Sequence, residues 1–202
     1  YLPNFQVNDS KQSYEAVVST RVELGIPEDS FVFCCFNNTY KITPFILDSW
    51  AHILKNVEGS ILFVYADNEL AKINLLKEIS NRGIASSRLV FGKHLPRPEY
   101  LGRFKVADLF LDTNPYNAGA TASDALRMGL PVLTYLGNSF VSRMGASLLN
   151  SINLQELITY SPEEYELLAI KLATHPEKLK IIKDKLTNNL TNAPLYDTLL
   201  FT

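Results

Sequence analysis

Short, almost uninterrupted apolar runs alternate along this chain with longer stretches in which apolar residues recur every three or four positions. The runs are residues 31–36 (FVFCCF), 61–65 (ILFVY), 88–91 (RLVF), 108–112 (DLFLD) and 131–134 (PVLT), and each predicts a strand. Continuous rather than alternating hydrophobicity means burial on both faces, as in a parallel sheet covered by helices. The first intervening helix has Thr43 as its N-cap and Pro44 at its first position, where a missing N–H costs nothing. Leu47, Trp50, Ala51 and Leu54 form its apolar stripe. Further helices are predicted over 68–82 with Gly83 as stop, 99–105, 121–128 ending at Gly129, 140–150, 162–174 and 176–188. Strand and helix in alternation, joined by right-handed crossovers, give a Rossmann-like, doubly wound α/β domain. Residues 1–202 read as a single lobe, with 1–10 a connection from a preceding one.

Ligands of such sheets bind outside the carboxyl ends of the strands, which selects residues 37–41, 92–98, 113–121 and 135–139 for inspection. The net charge of −2 gives no reason to expect nucleic acid or an anionic membrane as the main partner. Cys34 and Cys35 are adjacent, so they point to opposite faces of a strand and read as buried core thiols. With no disulfide framework, no metal-ligand spacing and no apolar stretch of bilayer length, the expected setting is the cytoplasm. The chain starts at Tyr1 without Met or a signal-like segment, which reads as a piece of something longer.

Residues 37–41 (NNTYK) follow the first strand and precede a helix N-terminus, where free amides and the helix dipole favour an anion. Lys41 adds a full charge there, although an ordinary surface lysine fits the same position. Neither the G-x-G-x-x-G fingerprint nor the P-loop pattern occurs. Residues 112–124 (DTNPYNAGATASD) carry small side chains that let a ligand approach the backbone as the next helix starts. Thr121 could donate to a phosphate and Asp124 could accept from ribose hydroxyls. The plainer alternative is that Thr121 or Ser123 caps the helix and Asp124 complements its dipole. Residues 92–98 (GKHLPRP) could set a cation and a backbone edge beside a base. His52 and His175 read as surface residues, and His94 as structural. No Ser-His-Asp arrangement or carboxylate pair marks a self-contained hydrolase.

At these loops the chain resembles the C-terminal catalytic lobe of the O-GlcNAc transferase family in its bacterial form. The matching segments are residues 1–4 (YLPN), 33–44 (FCCFNNTYKITP), 107–113 (ADLFLDT), 115–118 (PYNA), 121–126 (TASDAL), 129–134 (GLPVLT) and 142–147 (SRMGAS), in that order. The resemblance implies a GT-B glycosyltransferase, two Rossmann-like lobes with the donor between them, preceded by tetratricopeptide repeats. It implies UDP-N-acetylglucosamine (UDP-GlcNAc) as donor, a protein Ser or Thr as acceptor, and no metal or other cofactor. Lys41 would match the family's lysine on the donor diphosphate, stabilising departing UDP. Asn38 sits where many members have Gln near the same phosphates. Arg97 falls near a family Lys at the ribose, and Asp124 matches the ribose-binding Asp. Leu95 would offer its backbone to uracil, and Tyr100 falls where some members stack a His on the base. Gly119, Ala120 and Thr121 occupy the phosphate loop.

The chain also departs from that pattern. Many members read His-Thr-Thr or Gly-Thr-Thr where this one has Gly119, Ala120 and Thr121, so one hydroxyl is absent. The lobe carrying the family's proposed base, and the repeats, lie outside this sequence, so the fragment alone is expected to bind donor weakly and transfer nothing. Two alternatives stay open: a related protein glycosyltransferase with another donor or acceptor, and a non-catalytic nucleotide-sugar-binding module.

Overall fold

The computed structural model describes residues 4–6 and 15–202. The parallel sheet is built from β1 (Val32–Cys35), β2 (Ile61–Tyr65), β3 (Leu89–Gly92), β4 (Leu109–Leu111), β5 (Val132–Tyr135) and β6 (Ile158–Thr159). The strands lie in the order β3-β2-β1-β4-β5-β6, and every adjacent pair is parallel. The five predicted runs each hold a strand whose ends fall within one residue of the expected position. β6 was not predicted: two residues at a sheet edge, within a mixed stretch, leave no apolar run to read.

The helices are α1 (Pro44–Asn56), α2 (Glu69–Asn81), α3 (Arg97–Gly102), α4 (Ala120–Arg127), α5 (Met144–Ser151), α6 (Pro162–Thr174), α7 (Pro176–Asn189) and α8 (Thr198–Phe201). Thr43 caps α1 through its hydroxyl, which accepts from Ile46 N at 3.3 Å, and Asn68 and Ser161 cap α2 and α6 likewise. Two boundaries differ from expectation. α3 starts at Arg97 and gives way at Arg103 to a 3₁₀ turn, Arg103–Val106. α5 starts at Met144 rather than Phe140, because Ser139 and Ser142 hydrogen-bond to each other's backbone in a local turn that competes with the helix. Residues 1–3 and 7–10 of the expected connecting segment lie outside the described residues; 4–6 form bends.

α1 packs against α2 and α6, and α4 packs against α5. With right-handed crossovers, this strand order places those two groups on opposite faces of the sheet. The reversal falls between β1 and β4, so their carboxyl ends part to form a crevice. Phe33, Phe63, Phe110 and Trp50 fill the core around that line. Trp50 donates from Nε1 to the Tyr165 hydroxyl at 3.2 Å, which donates to the Asp112 carbonyl at 3.0 Å. Helices α1 and α6 are thereby tied to the end of β4. Cys34 and Cys35 are fully buried, and burial pushes both thiols above the ordinary range, so they are unreactive. No helix among the described residues is long and apolar enough to cross a membrane.

Gly145, near the start of α5, lies tightly against this end of the sheet. A methyl there would come within 2.6 Å of Asp112 Oδ2 and 2.5 Å of Thr134 Oγ1. Gly145→Ala is therefore expected to destabilise the lobe by about 1–3 kcal/mol, as overpacking does, which thermal melting would register.

Candidate functional site

Asp112 follows β4 and is buried, at 1% exposure. Its Oδ1 accepts from the backbone N–H groups of Thr113 at 2.8 Å and Ala118 at 2.7 Å, and Oδ2 accepts from Thr134 Oγ1 at 2.7 Å. Both ends of the loop that leads to α4 are pinned by this one carboxylate. Burial raises its pKa to about 6, against the pull of those hydrogen bonds and of the Lys41 charge. Asn117, also buried, donates to Thr113 O at 2.7 Å and accepts from Gly145 N at 3.3 Å. Asn37 donates to Thr113 Oγ1 at 2.7 Å, joining the loop after β1 to the loop after β4.

α4 begins on Gly119, which has no side chain with which to cap it. Neither Thr121 nor Ser123 acts as the N-cap, which removes the plainer reading of those residues. Gly119 and Ala120 form the entry to the helix, and Ala120 is its first residue. Lys41 ends a 3₁₀ turn, Thr39–Lys41, across from this loop. Its Nζ donates to Asn117 O at 2.9 Å and sits 3.9 Å from the centroid of the Tyr116 ring. Among the described residues no carboxylate lies within ion-pair distance of Lys41. An ammonium with no such partner, on the loop that leads to a glycine-started helix, is a place for an anion.

A cleft of about 450 Å³ is lined by Asn38, Leu95, Arg97, Tyr100 and Thr121, together with His94 and Pro96; Lys41, Gly119, Ala120 and Asp124 are not among its lining residues. Asp124 is reached through its partners: Arg97 forms a fork to both its oxygens at 2.8 Å each, and the Tyr100 hydroxyl donates to it at 3.0 Å. These contacts link α3 to α4 and set the Asp124 carboxylate. They also occupy part of its capacity to accept from a ligand, a pairing that sequence alone did not suggest. Burial, followed by the Asp124 charge, raises the Tyr100 pKa far above the usual phenol range.

Arg103 lines the floor of the cleft and escaped the sequence reading. It is 4% exposed, and its guanidinium lies over Phe36 at 4.2 Å and Tyr100 at 4.5 Å. Its Nε has no hydrogen-bond partner, and NH1 reaches the Lys93 carbonyl at only 3.4 Å. Burial lowers its pKa, yet a guanidinium keeps its proton in proteins. A buried, stacked cation with an idle donor is a poor structural element and a good ligand contact. The signal available in the sequence was an arginine on an apolar stretch, three positions after Tyr100, on the same face of a short helical segment. Phe36 and Tyr65 complete the walls. His52 lies on the exposed side of α1 and His175 in the exposed link between α6 and α7, next to Pro176, and neither lines the cleft.

A cleft lined by aromatic rings and cations at the carboxyl ends of a doubly wound sheet lies where such folds take their ligands. Comparison with known proteins makes this specific: residues 5–202 match glycosyl transferase family 41, and the chain belongs to that family. It is 32% identical to a probable UDP-N-acetylglucosamine–peptide N-acetylglucosaminyltransferase, SEC, of Arabidopsis thaliana, covering 98% of this chain and 21% of the relative. It is 33% identical to the Caenorhabditis elegans UDP-N-acetylglucosamine–peptide N-acetylglucosaminyltransferase, covering 90% and 16% respectively. Among solved structures, a variant of the Thermobaculum terrenum O-GlcNAc transferase superposes with a TM-score of 0.79 at 28% identity, covering 98% of this chain and 35% of that one. The chain thus spans about a fifth of these curated relatives' length. The fold is the Rossmann-like lobe of a GT-B glycosyltransferase.

Proposed function

We propose that this chain is the donor-binding lobe of a protein O-GlcNAc transferase, which moves N-acetylglucosamine from UDP-GlcNAc to Ser or Thr of proteins. The observation that carries the reading is Lys41: an ammonium with no carboxylate partner among the described residues, held against the loop that leads into α4. The diphosphate of the donor lies there. Its departing charge is stabilised by Lys41, by the helix dipole and by the Thr121 hydroxyl. These groups supply the positive field that a metal would otherwise bring, so the reaction runs without one. Asn38 adds a polar contact near the phosphates, Asp124 and Arg97 receive the ribose, and the base lies between the Leu95 backbone, Tyr100 and Arg103. The acceptor protein, a second catalytic lobe and tetratricopeptide repeats are the partners of this lobe, and the cytoplasm is its compartment.

Ala120 favours a second reading, a related transferase with a different donor, because a hydroxyl found there in many relatives is missing. Calorimetric titration with UDP, UDP-GlcNAc and GDP distinguishes the two. Under the main reading binding is selective for uridine nucleotides, and Lys41→Ala weakens UDP by about 1–3 kcal/mol, the range of a charge-assisted contact. Equal or better binding of GDP would move the assignment to the second reading. Binding of UDP that ignores Lys41→Ala would remove the diphosphate from this loop.

A further inference from the structure

Lys41 carries its charge on a four-carbon stem that can adopt many rotamers, and its Nζ is held from the opposite loop. The Asn117 carbonyl is 2.9 Å away and the Tyr116 ring centroid 3.9 Å away. Asn117 is itself fixed, being buried and bonded through its side chain to Thr113 and Gly145. The Tyr116 ring is 39% exposed and packs edge-on against Tyr40 with centroids 6.2 Å apart. Its backbone is anchored by the Thr113 hydroxyl, which donates to Tyr116 O at 2.6 Å.

From this arrangement we infer that Tyr116 is the positioning residue for Lys41, holding the ammonium in place for the diphosphate by the face of its ring. The inference rests on the reading of Lys41 as the diphosphate contact. A carboxylate in the same place would order the lysine equally well, but it would neutralise the charge and repel the incoming phosphates. An aromatic face attracts the cation through its quadrupole and adds no net charge. The Asn117 carbonyl takes one N–H of the ammonium and the ring covers another side, so the remaining donor capacity is left for an anion. The ring, rather than the phenol hydroxyl, makes the contact.

The test compares UDP with UMP, which lacks the second phosphate, on the wild type and on Tyr116→Leu, Tyr116→Phe and Lys41→Ala. Leucine keeps much of the bulk and loses the quadrupole. Tyr116→Leu is expected to weaken UDP about 3- to 10-fold, the scale of a cation–π contact, and to leave UMP within about two-fold. Tyr116→Phe restores the preference for UDP that leucine loses. Equal losses of UDP and UMP in Tyr116→Leu would show a damaged loop and overturn the inference, as would a phenylalanine variant no better than leucine. If Lys41→Ala weakens UDP while Tyr116→Leu does not, the positioning role alone fails. If Lys41→Ala leaves UDP unchanged, the diphosphate reading fails with it.

Discussion

Replacing Asp112 by alanine is expected to remove about 3–5 kcal/mol of stability, the largest loss of any single substitution at this end of the sheet. The carboxylate accepts from two backbone N–H groups and one hydroxyl in a buried setting. Alanine leaves the donors of Thr113 and Ala118 with no partner, and each stranded buried donor costs about 1–3 kcal/mol. Set against a typical domain stability of about 5–15 kcal/mol, such a loss is a large fraction of the whole. Asp112→Asn keeps Oδ1 for both backbone groups, and its amide meets a Thr134 hydroxyl that can turn to accept, so its cost should stay near 1 kcal/mol. Urea unfolding of the two variants separates these outcomes; equal midpoints for alanine and asparagine would show that the loop does not depend on this acceptor.

The same residue makes stability depend on pH in a stated direction. Its carboxyl has a pKa of about 6 in the fold against an ordinary value of 3.8, with burial as the first cause. A pKa raised by folding means that the folded state binds the proton more tightly, so acid stabilises this group's contribution. Stability from this source is lost as pH rises through the window between those two values and is flat above it. Between pH 7 and pH 5 the wild type should therefore gain about 1 kcal/mol relative to Asp112→Asn, which does not titrate. A stability gap that stays constant over that range would mean the carboxyl is not shifted.

What the sequence made legible follows the range of the interaction concerned. Strand runs and caps are local, so Thr43 with Pro44 marks α1, and Pro162 marks α6, at their true starts. β6 depends on pairing Thr134 with Ile158 across a sheet edge, which no local run announces. The onset of α5 was misplaced because two serines offered the backbone a competing turn. At the site, three of the four loops selected by the carboxyl-end rule reach one cleft, which Asn38, Leu95, Arg97, Tyr100 and Thr121 line. Residues 135–139 line none of it. The pairing of Arg97 with Asp124 and the burial of Arg103 among Phe36, Tyr65 and Tyr100 arise only when β1, α3 and α4 come together. Charged residues on short helical segments look solvent-facing in sequence, since their partners are distant along the chain.

In the full-length enzyme, transfer of sugar to a protein acceptor is expected to fall by about 10²–10³ in kcat when Lys41 is replaced by methionine, the scale of losing one preorganised donor to developing charge. Methionine matches the stem and removes the ammonium, so the loop should keep its form while Asn117 O loses its donor. The decisive quantity is how the loss divides. As UDP departs, negative charge grows on the phosphate oxygens, and an interaction that strengthens with that charge appears in kcat. A lysine that merely held the donor in the ground state would raise KM and leave kcat alone. Lys41→Arg sharpens the comparison: it keeps the charge, but a planar fork does not fit a site formed by one carbonyl and one ring face as a compact ammonium does. Arginine should therefore recover much of the UDP affinity and little of kcat. Recovery of both would reduce the role of Lys41 to net charge, and a loss confined to KM would remove it from the transition state altogether.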